Sequence, residues 1–187
     1  MAKVYVFLAD GFEEVEALAP VDILRRGGQE VVTVSVMETE LVTGAHGVSV
    51  VADVQFGNAG SFEDADLLML PGGMPGAAHL DQHERLGKVL VEQAARKGEI
   101  AAICAAPMVL GHLGLLRGKR ATCYPGFESH LEGADYTADL VTVDGNITTG
   151  EGPAAAMAFG YQLLSLFVPA KQVEAIKEGM RYIHLMS

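Results

Sequence analysis

The sequence predicts an α/β protein whose mostly parallel sheet is covered by helices on both faces, and three features lead to that expectation. Short apolar runs of the kind that form strands buried on both faces recur along the chain. Between them lie segments with apolar residues at helical spacing. Glycine and proline punctuate the ends of both, giving the strand-helix-strand alternation of a parallel sheet.

The first run, Lys3 to Leu8, passes through Ala9-Asp10-Gly11 into a helical pattern carrying Val15, Leu18, Ala19, Ile23 and Leu24, which Gly27-Gly28 ends. Glu30 to Val36 reads as the next strand. The Val- and Thr-rich stretch from Leu41 to Val54 reads as two strands around a Gly44 to Gly47 turn. Leu67 to Leu70 is a further apolar run, closed by Pro71-Gly72-Gly73. A helix follows over roughly His83 to Lys97, then a strand from Ile100 to Ile103 and a helix from Pro107 to Leu113. After Gly118 come a short strand, Ala121 to Tyr124, a loop with a helical turn near Glu128, and a hairpin from Leu140 to Thr149 turning at Asp144-Gly145-Asn146. Pro153 opens a helix to about Phe167, Pro169 breaks it, and a last helix runs from Ala170 toward Gly179.

A chain of 187 residues with no repeat, linker or low-complexity tract reads as one domain, 1–187. Its net charge of -11 argues against a phosphate-backbone interface, so no nucleic-acid partner is expected. Met1-Ala2-Lys3-Val4-Tyr5 runs straight into a strand-like segment, and no 18-residue apolar run follows, so neither export nor a membrane is expected. Two cysteines, Cys104 and Cys123, suit a reducing compartment better than a disulfide scaffold, which makes the cytoplasm the expected location.

Ligands of open parallel sheets bind beyond the carboxyl ends of the strands, near the point where strand order reverses. Three strand-end loops carry unusual content there: Asp10 to Glu16, Pro71 to Gly76, and Cys104-Ala105-Ala106-Pro107. Cys104 follows an apolar strand directly and precedes a helix in which Pro107 suits the first turn, so the thiol is expected at a strand-to-helix elbow where helix-terminal amides favour thiolate. The small Ala105 and Ala106 permit the sharp turn, as in the nucleophile elbow of serine hydrolases. A packed core cysteine is the competing reading. The amides of Gly73 and Ala105 are candidates for an oxyanion hole; an ordinary tight turn is the other account of Gly72-Gly73. Glu13 and Glu14 fit the favourable dipole position of a first helical turn, whereas Glu16 adjoins the face marked by Val15 and Ala19 and is expected to reach the thiol as a protonated carboxyl.

Taken together, Ala9-Asp10-Gly11-Phe12-Glu13-Glu14-Val15-Glu16, Pro20 to Gly28, Leu70-Pro71-Gly72-Gly73, Ala101-Ala102-Ile103-Cys104-Ala105-Ala106-Pro107 and Thr149-Gly150-Glu151-Gly152-Pro153 resemble the ThiJ/PfpI superfamily. The resemblance is to its branch of the Parkinson-disease protein deglycase and bacterial ThiJ/YajL-like proteins. It implies a flavodoxin-like, doubly wound fold, a homodimer, and no cofactor. It also implies Cys104 as an oxidation-sensitive nucleophile, Glu16 as its partner, and Gly73 and Ala105 as oxyanion amides. The implied activities are conversion of methylglyoxal and glyoxal to hydroxy acids, removal of their early adducts, and redox-linked chaperoning. The substrate is thus expected to be a small aldehyde or a glycated group.

The chain departs from family patterns at several places. Ala105 stands where protease-like members have His, and Tyr124 where the deglycase branch has one, so a peptidase lacks its base. His46 occupies a turn where close relatives often carry Arg, and Glu151 a position that is basic or amide in some. His46, Tyr124 and Glu151 are therefore candidate pocket residues. His79 and His83, spaced i, i+4, lack a third ligand for a metal, and the Asp10-Gly11-Phe12 turn lacks the glycine fingerprint of a dinucleotide site. The competing functional class is a redox sensor or holdase read out through Cys104 oxidation.

Overall fold

A computed structural model describes residues 1–182. The chain opens with β1 (Lys3–Leu8), α1 (Glu14–Arg26) and β2 (Glu30–Ser35), then forms a hairpin of β3 (Leu41–Thr43) and β4 (Ser49–Val51) and the short β5 (Val54–Gln55). Next come β6 (Leu67–Leu70), α2 (Gly76–Gln82), α3 (Glu84–Ala95), β7 (Glu99–Ile103) and α4 (Pro107–His112). β8 (Arg120–Ala121), β9 (Asp135–Tyr136), β10 (Val141–Asp144) and β11 (Ile147–Gly150) precede α5 (Ala156–Ser165) and α6 (Ala170–Gly179).

The main sheet has the order β10-β11-β7-β6-β1-β2-β5, parallel throughout except for the antiparallel β10 at its edge. From β1 the chain moves to β2 and β5 on one side, then returns to build β6, β7 and β11 on the other. Right-handed crossovers therefore send α1 to one face and α2, α3 and α4 to the opposite one, and α5 returns to pack on α1. The order reverses between β1 and β6, which makes the carboxyl ends of those strands the topological switch point where sheets of this kind bind ligands.

Burial on both faces explains the uninterrupted apolar strands: Val4, Val6, Phe7, all of β6, and Ile100 to Ile103 are inaccessible or nearly so. An aromatic cluster seals the β5 edge, with Phe62 at 5.0 Å from Tyr5, 5.3 Å from Phe7 and 5.0 Å from Phe56. On the other side, glycine lets α1 and α5 approach closely. A Cβ on Gly160 would lie 2.7 Å from Ile23 and 3.1 Å from the Pro20 backbone.

Several sequence expectations change. Val15 and Leu18 are exposed, and the buried stripe of α1 runs through Glu16, Ala17, Pro20, Val21, Ile23 and Leu24, because the close approach of α5 sets the rotation of α1. The strand expected from Ala121 to Tyr124 is only Arg120–Ala121, paired with β9 outside the main sheet. Its continuation spends its backbone elsewhere: Thr122 N–H donates to Thr149 Oγ1 and Tyr124 N–H to the Cys104 carbonyl. α2, β5 and β9 were not anticipated; each is short, with too few positions to display a period.

Candidate active site

Cys104 sits between β7 and α4 with φ of +65°, a left-handed conformation that costs a non-glycine residue about 1–2 kcal/mol. The surrounding structure holds it there from both ends. Its N–H donates to the Gly150 carbonyl at 2.9 Å, and its carbonyl accepts from Tyr124 N–H at 2.9 Å. A tight turn follows at once, with Ala106 N–H donating to the Ile103 carbonyl at 3.0 Å. The result is an elbow that lifts the side chain off the strand end and leaves the residue 8% exposed.

Glu16 approaches from the first turns of α1 and is fully buried. Its Oε2 accepts from Gly72 N–H at 2.9 Å, while Oε1 has no hydrogen-bond partner among the described residues. Cys104 Cβ flanks the same glycine, which puts the thiol beside this carboxyl and couples the two electrostatically. Gly72 must be glycine for this assembly to close, since a Cβ would lie 2.6 Å from Glu16 Oε2, 2.7 Å from Cys104 Cβ and 2.8 Å from the Ile103 carbonyl. Gly73 has φ of +85° and packs its α-carbon against the backbone of Gly11 to Glu13, where a Cβ would lie 2.3 Å from Glu13 N. Its amide and that of Ala105 both interact with the Cys104 sulfur. The loops after β1, β6 and β7 thus converge as expected, with Cys104, Glu16, Gly73 and Ala105 in one place.

The electrostatics overturn one expectation. Cys104 was expected to be acidified, but burial and then the adjacent Glu16 charge push its thiol up to about 12, against the pull of the Gly73 and Ala105 amides. The helix offers little help. α4 is six residues long and starts at Pro107, three residues beyond Cys104, where its dipole has faded. Burial likewise raises Glu16 to about 7, with Glu13 adding to the rise and the bonds from Cys104 and Gly72 opposing it. The two groups titrate as a unit. Once one proton has left, the other is held because its loss would place two anions side by side.

The remaining candidates divide into two places. Tyr124 and Glu151 line a pocket of about 230 Å³ with Pro125, Gly152, Pro153, Ala154 and Ala155. His46 belongs to the start of α1 instead, with Nδ1 at 3.0 Å from Glu14 Oε2 and 3.5 Å from Glu13 Oε2. Glu14 lies in the first turn of α1 as expected, and it has a second role: it is buried and its Oε1 accepts from His46 N–H at 2.8 Å and Val48 N–H at 3.3 Å. Glu13, Glu14 and His46 have ligand atoms within 4.8 Å of one another, but Glu14 is already occupied by these donors. His79 and His83 do not share a helix face: His79 Nδ1 lies 3.0 Å from the Asp10 carbonyl, and His83 Nδ1 caps α3 by accepting from Leu86 N–H. Cys123 is fully buried, and burial followed by the Glu128 charge raises its thiol to about 12.

Sequence reasoning missed Gly72 N–H as the anchor of Glu16, and Glu14 as the anchor of the hairpin. The signal for the first was the leading glycine of the Gly72-Gly73 pair, where a Cβ would fall 2.6 Å from Glu16 Oε2. For the second it was Gly44, where a Cβ would fall 2.3 Å from Glu14 Oε1.

The model of the DJ-1/PfpI family matches residues 2–166. The Parkinson disease protein 7 homolog of Danio rerio is 33% identical over 178 residues, covering 94% of each chain. A deglycase of Pyrococcus abyssi is 33% identical over 170 residues, covering 88% of this chain and 98% of its own. Protein DJ-1 homolog B of Arabidopsis thaliana is 40% identical over 164 residues, and the match spans 87% of this chain but only 37% of that longer protein. Among solved structures, oxidized Toxoplasma gondii DJ-1 superposes with a TM-score of 0.91 at 37% identity, over 96% of this chain and 98% of its own.

Proposed function

This chain belongs to the DJ-1/PfpI family, and on that premise we propose that it is a cofactor-independent glyoxalase or deglycase with Cys104 as nucleophile and Glu16 as proton carrier. The observation that carries the reading is the meeting of Cys104, at its left-handed turn, and the buried Glu16 carboxyl at Gly72, whose N–H holds Glu16 Oε2 and whose missing Cβ would lie 2.6 Å from that oxygen and 2.7 Å from Cys104 Cβ. The similarity to a Pyrococcus abyssi deglycase supports it.

At neutral pH the pair holds one proton. With that proton on Glu16, the Cys104 thiolate adds to the aldehyde carbon of a small 2-oxoaldehyde, and the resulting oxyanion is received by the Gly73 and Ala105 N–H groups. Glu16 protonates this oxygen to give a hemithioacetal. As carboxylate it then takes the hydrogen from that carbon and returns a proton to the neighbouring one, leaving a thioester. Water releases a 2-hydroxy acid and restores the thiol. One carbon is oxidised as its neighbour is reduced, so no external oxidant enters. An early glyoxal adduct would follow the same route, with the modified group leaving as sulfur takes its carbinol carbon.

Steady-state assay of methylglyoxal consumption and lactate formation tests the reading. Cys104→Ser should abolish turnover, and Glu16→Gln should lower kcat by about 10²–10⁴-fold with little change in KM. Wild-type rates in either variant would refute the assignment.

A redox sensor or chaperone is the second reading, favoured by the similarity to oxidized Toxoplasma gondii DJ-1. It requires partner binding that depends on Cys104 oxidation and no aldehyde turnover. A homodimer belongs to both readings. Val15 and Leu18 of α1 and Val48 and Val51 of the hairpin are exposed apolar side chains of the kind a second copy would cover, and light scattering would show the doubled mass. No described helix is long and apolar enough to cross a membrane.

A further inference from the structure

We propose that His46 acts through Glu13 as a positioning residue for the Glu16–Cys104 pair, setting the pH at which the pair gives up its first proton. This rests on the reading of that pair given above.

The geometry links the β3–β4 turn to the thiol in short steps. The turn is docked on the start of α1 by Ala45 N–H donating to the Phe12 carbonyl at 2.7 Å and by the two amide bonds to Glu14 Oε1. This places the His46 ring against two carboxylates, Glu14 at 3.0 Å and Glu13 at 3.5 Å. Glu14 is neutralised locally by the amides of His46 and Val48 as well as by the ring. Glu13 has only the ring as a cationic partner among the described residues. Its own N–H donates to the Gly72 carbonyl at 2.9 Å, and Gly72 N–H holds Glu16 Oε2 at 2.9 Å, so Glu13 and Glu16 are fastened to the same residue.

Charge passes along this arrangement through space. Glu13 raises the proton affinity of Glu16, and protonated His46 offsets Glu13. His46 is held above the usual imidazole range by its bond to Glu14 and then by the charges of Glu13 and Glu14. As pH rises and the imidazole empties, Glu13 acts uncompensated and Glu16 retains its proton longer. The other groups on the surrounding elements are engaged elsewhere: Asp10 Oδ1 accepts from Thr43 N–H, and His79 is on the Asp10 carbonyl. The His46 ring is largely exposed, so it can be changed without opening the core.

The test is the pH profile of Cys104 alkylation by iodoacetamide at fixed ionic strength, read on the Cys104 peptide by mass spectrometry. Glu16→Gln first identifies the limb that belongs to the pair. On that limb His46→Ala should move the midpoint upward and slow alkylation roughly threefold at fixed pH. His46→Arg should restore the rate, and Glu13→Gln should shift the midpoint downward. In the Glu13→Gln background, His46→Ala should have no further effect. An unmoved profile in His46→Ala, or an equal shift with Glu13 already neutral, overturns the proposal. Loss of the Glu16-dependent limb altogether would also overturn it. Failure of the functional reading is distinguishable, since it appears as aldehyde turnover that survives Glu16→Gln while the alkylation profile still responds to His46.

Discussion

Replacing Glu16 with Gln should make the protein more stable at neutral pH and leave it little changed in acid. Glu16 is fully buried, accepts one backbone N–H and leaves its second oxygen unpartnered, so its ionised form is poorly accommodated. A carboxyl raised from 4.5 to about 7 by burial corresponds, at about 1.4 kcal/mol per pH unit, to a penalty of about 3 kcal/mol for the ionised side chain in the folded protein. Because the folded value is raised, the protonated group's contribution is intact below pH 4.5 and is lost as pH rises through 7. Glutamine keeps the acceptor for Gly72 N–H and never ionises. The stability difference in favour of Glu16→Gln should therefore grow between pH 4.5 and 8 by about 3 kcal/mol. Urea unfolding followed by far-UV circular dichroism, at matched protein concentration with reductant, measures it if the m-values agree. The second proton of the Glu16–Cys104 pair is held by burial and by the charge already present, so it does not leave in this window. A difference that is flat with pH, or that falls as pH rises, would refute the argument.

Gly72→Ala should place a methyl group within 2.8 Å of Glu16 Oε2, Cys104 Cβ and the Ile103 carbonyl, costing about 1–3 kcal/mol in urea unfolding and removing aldehyde turnover; near-native values for both would show that the loop has slack. Iodoacetamide at pH 8 should label Cys104 before Cys123, since Cys104 is 8% exposed and shares its proton with Glu16 while Cys123 is inaccessible; faster labelling of Cys123 would contradict this. Titrated peroxide should add two oxygens to the Cys104 peptide, because a protonated Glu16 can donate to a sulfinate oxygen, and Glu16→Leu should shift the product distribution. A Cys104–Cys123 disulfide as the main product would instead make Cys123 a resolving thiol.

Much of this molecule could be read from residue order because the relevant forces are local. β1, β6 and α6 have the bounds that apolar runs, Gly72-Gly73 and Pro169 imply, since chain direction at such points is limited by backbone sterics. The elbow at Cys104 was legible for the same reason, as was the meeting of three loops, which follows from strand order in a parallel sheet. Features that depend on separation through space were not. The partner of Glu14 lies 32 residues away on a hairpin, the rotation of α1 follows from a close approach at Gly160, and Tyr124 leaves the expected strand to brace the elbow. The thiol is the sharpest case. The motif points to amides around Cys104, but whether they outweigh burial and a carboxylate depends on solvent exclusion and on distances of a few ångströms, which neighbours in sequence do not encode.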